Sequence, residues 1–210
     1  GAGPVVTVTT DGGTSNALTV GPTSFTGVQA EAAFGTPANP ALPSANPGQT
    51  ITITGTDLKA NTNLIFPTRD DSGIPGSRSV RVSSTSADGT SATVVVPTDA
   101  TTGLLTVPGT TSSFSLQIVP RLTGFSNADF APSGSSRNLQ LFGSGFAEGD
   151  MTVRYGAVAV PDPDIGSSMV DVFSSNTSLT VVIPTGAGPV VTVTTDGGTS
   201  NALTVGPTSF

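Results

Sequence analysis

The chain has 210 residues, 35% of them hydrophobic, and contains neither cysteine nor histidine. Seven Lys and Arg against fourteen Asp and Glu leave a net charge of −7 and a pI of about 4.1. This composition excludes disulfides, thiolate metal sites and histidine-activated nucleophiles, and cations so few and scattered cannot track a nucleic-acid backbone.

In chain order, Pro4–Thr10 and Ala17–Val20 alternate around Asp11-Gly12-Gly13, a turn rich in residues that tolerate positive φ, which predicts a hairpin. Val28–Phe34 has a helical flavour through Ala30-Glu31-Ala32-Ala33, but seven residues are too few for a stable helix, so a loop is expected. The Pro-rich stretch 35–47 reads as extended chain crossing from a linker into the first long strand. There, Ile51 and Ile53 alternate with Thr50, Thr52 and Thr54, and Lys59 sits in the turn after them. Leu139 and Leu141 alternate in the same way, as do Met151, Val153 and Tyr155, and Val191 and Val193 alternate with Thr192 and Thr194 before the turn Asp196-Gly197-Gly198 and the return at Leu203 and Val205. Short alternating strands with frequent Gly and Pro punctuation argue for an all-β sandwich architecture. No apolar run approaches the roughly 20 residues that span a bilayer, so membrane insertion within this segment is not expected.

Residues 1–25 recur unchanged as residues 186–210, an offset of 185. A weaker repeat lies inside that period. Ser91–Thr98 resembles Ser178–Thr185, Ser113–Pro120 resembles Ser200–Pro207, and Gln49–Thr56 parallels Arg137–Ser144, all in the same order. Self-similarity of this kind predicts stacked repeat units. The expected division is 1–22, closing strands of a preceding second-type module; 23–119, a first-type immunoglobulin-like module; 120–207, a second-type module; and 208–210, the start of the next repeat. Ile51, Ile53, Val94, Val96, Leu105, Val107, Leu116 and Ile118 should fill the first core. Leu139, Leu141, Val153, Tyr155, Val181, Ile183, Val191, Val193, Leu203 and Val205 should fill the second.

Gly48–Leu58 resembles the opening strand and turn of the IPT/TIG immunoglobulin-like family. Val181–Pro184, Val190–Thr194 and Gly197–Leu203 resemble its closing strands. The chain departs from the family at 67–77, longer than the usual Phe-Gly turn, whereas Tyr155-Gly156 stands at the matching place in the second module. The resemblance implies sandwich modules placed end to end in a bacterial surface protein such as an adhesin stalk. The basic loops of DNA-binding members are missing.

No constellation here resembles an enzyme. Lys59 reads as a solvated turn cation, and the pairs Asp70/Asp71 and Asp162/Asp164 are each local to one loop instead of flanking a cleft. Those four aspartates are weak calcium candidates, since calcium takes six to eight oxygens and neither pair has the spacing of a dedicated loop. No other cofactor is expected. The Thr/Ser/Gly-rich, Lys-poor composition points to an extracellular, cell-surface location. The function expected from sequence is a structural repeat of a stalk or fibre that spaces a distal adhesive domain, with neighbouring repeats of the same protein as its partners. Lateral or strand-exchanged assembly into a filament, sheath or matrix is the alternative. A carbohydrate-binding module ranks last, because the chain has no Trp and a single Tyr.

Overall fold

The computed structural model describes residues 5–19, 24–128, 138–163 and 169–205. Every regular element in them is a strand, and no helix among them is long and apolar enough to cross a membrane. The Ala-rich stretch after Val28 is accordingly a strand end followed by an irregular loop.

Two sandwiches repeat one topology. In the first, Ser84–Thr85, Ser91–Val95, Thr50–Thr56 and Ser24–Gln29 form one antiparallel sheet. Facing it are Pro75–Arg81, Asn63–Arg69, Gly103–Thr106 and Ser113–Ile118, with Ser44–Ala45 added in parallel. In the second, Val170–Phe173, Ser178–Val182, Asn138–Ser144 and Arg121–Ala128 form the equivalent first sheet. Val158–Asp162, Met151–Tyr155, Val190–Thr195 and Leu203–Thr204 form the equivalent second one. This is the strand exchange between two sheets seen in immunoglobulin-like sandwiches.

Small residues recur at matched places for a physical reason. The opening strands both bulge at Thr-Gly, between Phe25 and Gly27 and between Leu122 and Gly124. Gly55 and Gly143 stand one residue before the ends of the second strands, where a Cβ would collide with the carbonyl oxygens of Ser24 and Arg121 respectively. The parallel of Gln49–Thr56 with Arg137–Ser144 already set Gly55 against Gly143, but it did not reach the Thr-Gly bulges, which are two residues long and carry no periodicity.

The cores follow the alternation. All eight residues expected in the first core are buried, among them Ile51, Ile53, Val94 and Leu116. Thr50 is exposed, and Thr52 and Thr54 are half-exposed. In the second core Ile183, Leu203 and Val205 are only half-buried at its edge, while the others are buried. Each fully buried aliphatic or aromatic side chain contributes about 1.5–3 kcal/mol. Tyr155 is fully buried, and its hydroxyl has no hydrogen-bond partner among the described residues.

The Pro-rich stretch differs from its expected role as a simple crossing. It lies between two strands of the first sandwich, yet Thr36–Pro37 pairs antiparallel with Gly198–Thr199 and so extends a sheet of the second. The Ala38 amide donates to the Gly197 carbonyl at 3.1 Å. Across the same joint, the Arg121 guanidinium lies 3.8 Å from the centroid of the Phe34 ring. Gly197 rests against the backbone of Ile118 so closely that a Cβ would overlap its carbonyl oxygen.

Candidate functional site: a polar cleft at the joint

Beside that contact the two sandwiches enclose a polar recess. The end of Asn63–Arg69 delivers Arg69, and the loop before Gly103 delivers Thr101 and Thr102. From the second sandwich, the start of Met151–Tyr155 brings Asp150, and the end of Val190–Thr195 brings Thr195 and Asp196. The recess has a volume of about 150 Å3. It opens onto a shallower groove of about 370 Å3 that shares Asp150, Thr195 and Asp196 and continues past Thr152 and Asp162.

Register explains the electrostatics. Met151 pairs with Thr195, so Asp150 and Asp196 stand at the same end of adjacent strands, where like charges oppose each other. Burial pushes the Asp150 carboxyl above its ordinary value, Asp196 adds to that rise, and Arg69 opposes it. The Arg69 Nη2 lies 3.7 Å from Asp150 Oδ2, and its Nη1 donates to the Glu148 carbonyl at 3.0 Å. A perturbed carboxyl in a cleft with a guanidinium and hydroxyls is a recognised signature of binding sites.

Of the sequence-derived candidates, Asp162 lines the groove, and Asp71 ties the two sandwiches together beside Arg69. Asp71 accepts the Ser175 amide at 2.9 Å and the Asn176 amide at 2.7 Å, reaching from the first sandwich to the second. It holds Ser174, Ser175 and Asn176, all at positive φ, a conformation that costs about 1–3 kcal/mol for each non-glycine residue. The Asn176 amide group then donates to the carbonyls of Arg69 at 3.0 Å and Phe146 at 2.9 Å. Asp70 closes its own turn by accepting the Ser72 and Ile74 amides. Asp162 is buried and accepts the Gly149 amide at 2.8 Å. Asp164 lies outside the described residues. Asp70 and Asp71 therefore have backbone partners in different loops from Asp162, and no three acidic side chains gather for a cation among the described residues. Lys59 stays in its turn, 3.4 Å from Asp57.

Sequence reasoning missed Arg69, Asp150 and Asp196. They come from separate strands of two sandwiches, so no local spacing joins them. The one available signal was that Asp150 and Asp196 each border a predicted strand.

No protein-family model matches the chain, and no curated protein matches it. Among solved structures it overlays the surface glycan-binding protein PbSGBP-B from Prevotella bryantii with a TM-score of 0.41 and 16% identity, over 83% of this chain and 40% of that one. It overlays SGBP-B from a complex xyloglucan utilization locus in Bacteroides uniformis with a TM-score of 0.31 and 19% identity, over 87% of this chain and 49% of that one. The chain thus spans less than half the length of either. Both proteins are glycan-binding by name, so the expectation of a spacing stalk, with a filament or sheath as its alternative, is corrected. It ranked carbohydrate binding last because the chain has no Trp and a single Tyr. At these TM-scores the overlays do not locate a ligand, and the cleft is judged on its own geometry.

Proposed function

We propose that this chain is part of a cell-surface carbohydrate-binding protein and takes a glycan in the cleft between its two sandwiches. The observation that carries this reading is the convergence of Arg69, Asp150, Asp196 and three Thr hydroxyls in one recess between two interlocked sandwiches. Carboxylates accept from vicinal sugar hydroxyls, and the guanidinium and threonines donate to ring and hydroxyl oxygens. The names of the two overlaid proteins accord with this class of ligand, and an extracellular location goes with it. The sandwich type remains, as a proposal, the IPT/TIG immunoglobulin-like one.

Among the described residues, the recess has no aromatic platform. Tyr155 is sealed in the second core, and Phe34, which has Arg121 over its ring, does not line the recess. Binding by hydrogen bonds alone is expected to be weak, with a Kd of about 1 mM, or roughly −4 kcal/mol. The role is binding and not hydrolysis, because Asp150 and Asp196 sit side by side on one sheet instead of flanking a scissile bond.

Affinity electrophoresis against soluble xyloglucan, mixed-linkage glucan, arabinoxylan and mannan tests the reading. At least one polysaccharide should retard the chain, and Asp196→Ala or Arg69→Ala should abolish that retardation. Unretarded migration on the whole panel, or retardation that both variants keep, would overturn it.

A further inference from the structure

The hairpin of residues 5–19 leaves Val6, Val8 and Leu18 exposed. It pairs Val5 with Thr19, Val6 with Leu18, Thr9 with Thr14 and Thr10 with Gly13. Its twin 185 residues later pairs Val190 with Thr204, Val191 with Leu203, Thr194 with Thr199 and Thr195 with Gly198, the same register throughout. The local bonds match as well. The Ser15 amide donates to the Val8 carbonyl at 2.9 Å and the Ser200 amide to that of Val193 at 2.8 Å. The Val8 and Val193 amides donate to the hydroxyls of those same serines, both at 3.0 Å.

Burial is where the two copies part. Val6, Val8 and Leu18 are 50%, 62% and 65% exposed, whereas Val191 and Val193 are 0% exposed and Leu203 packs at the core edge. What covers the second copy is known residue by residue. Met151–Tyr155 pairs with Val190–Thr195, and the side chains of Met151, Val153, Leu141 and Val181 complete the core around it. The Asn201 side chain also accepts from the Leu122 amide and donates to the Leu122 carbonyl, each at 3.0 Å. An identical sequence in an identical register presents an identical surface, so it fits the same receptor.

We infer that the exposed face of residues 5–19 docks on the open body of a second-type sandwich. The occupant is a β-sheet surface with the chemistry of residues 121–182, whose unpaired strand resembles Met151–Tyr155 and whose end offers a backbone amide and carbonyl to Asn16. An unsupported two-stranded hairpin is marginal in water, and three exposed large aliphatic residues on one face mark an interaction surface.

The test compares the chain as it stands with one in which residues 120–185 are placed ahead of Gly1. Thr7→Ser in both gives the first hairpin a mass distinct from its twin. Amide hydrogen exchange is then followed in residues 5–19 and 190–204. The expected result is fast exchange of 5–19 in the chain alone and, in the extended chain, protection as strong as that of 190–204. Val8→Asp should abolish the new protection in the extended chain and be silent in the shorter one. Fast exchange of 5–19 in the extended chain would overturn the inference. So would protection in the shorter chain, whether concentration-dependent, which makes a second copy the occupant, or concentration-independent, which assigns the cover to the chain's own residues.

Discussion

Substituting Gly197 by alanine examines the joint directly, and the chain supplies its own control in Gly12. At Gly197 an added Cβ would overlap the carbonyl oxygen of Ile118 and the hydroxyl oxygen of Thr102. The first of these is backbone in the buried closing strand of the first sandwich, so it cannot rotate away. Relief requires separating the sandwiches, which also strains the Ala38-to-Gly197 bond and the pairing of Thr36–Pro37 with Gly198–Thr199. Overpacking of this kind costs about 1–3 kcal/mol. For a chain of this size that is a fall in Tm of roughly 2–12 °C. At Gly12 the same Cβ meets only the Thr10 hydroxyl at 3.8 Å. There Gly12→Ala should be neutral or stabilise by about 0.4–1 kcal/mol, because it restricts the unfolded chain. Calorimetry on both variants is the assay. The parent should unfold with its sandwiches coupled, and Gly197→Ala should lower Tm and split or broaden the transition. Equal shifts for Gly12→Ala and Gly197→Ala, or an unchanged transition in Gly197→Ala, would refute the account of the joint.

Asp71→Ala removes two charge-assisted bonds to the left-handed run Ser174–Asn176. It should cost about 1.5–3 kcal/mol in urea unfolding and raise exchange at the Ser175 and Asn176 amides. Tyr155→Phe deletes a buried hydroxyl that has no partner among the described residues. It should leave stability unchanged or raise it by about 1 kcal/mol, and a loss above that would mean the hydroxyl is satisfied. For Asp150 the folded-state pKa is raised above the ordinary 3.8 by burial, with Asp196 second. The protonated form is therefore the better tolerated one, and stability is lost as pH rises from 3.8 through the folded pKa. Asp150→Asn should match the parent in Tm below that window and exceed it by a constant amount above. A gain that persists at low pH would point to a cause other than ionisation.

The two copies of one 25-residue segment separate what sequence decides from what tertiary structure decides. In both, Asp-Gly-Gly bends the chain, Thr faces Thr across the strands, and the Ser15 or Ser200 hydroxyl receives the amide of the valine seven residues earlier. Those features depend on backbone preferences and on contacts within the segment, and the hairpin that carries them was legible before any fold was known. The alternation of Ile51 with Thr52, or Leu139 with Gln140, was legible for a related reason, since a strand has two faces and only one can be apolar. The cleft was not legible. Arg69, Asp150 and Asp196 look like turn and strand-end residues, and they meet only because contacts across the joint, among them Thr36–Pro37 on Gly198–Thr199 and Asp71 on Ser175 and Asn176, bring the two sandwiches together. Nothing in 1–25 or 186–210 distinguishes Val8, left in water, from Val193, sealed in a core. Burial is a property of what lies opposite, and what lies opposite is brought there by residues far away along the chain.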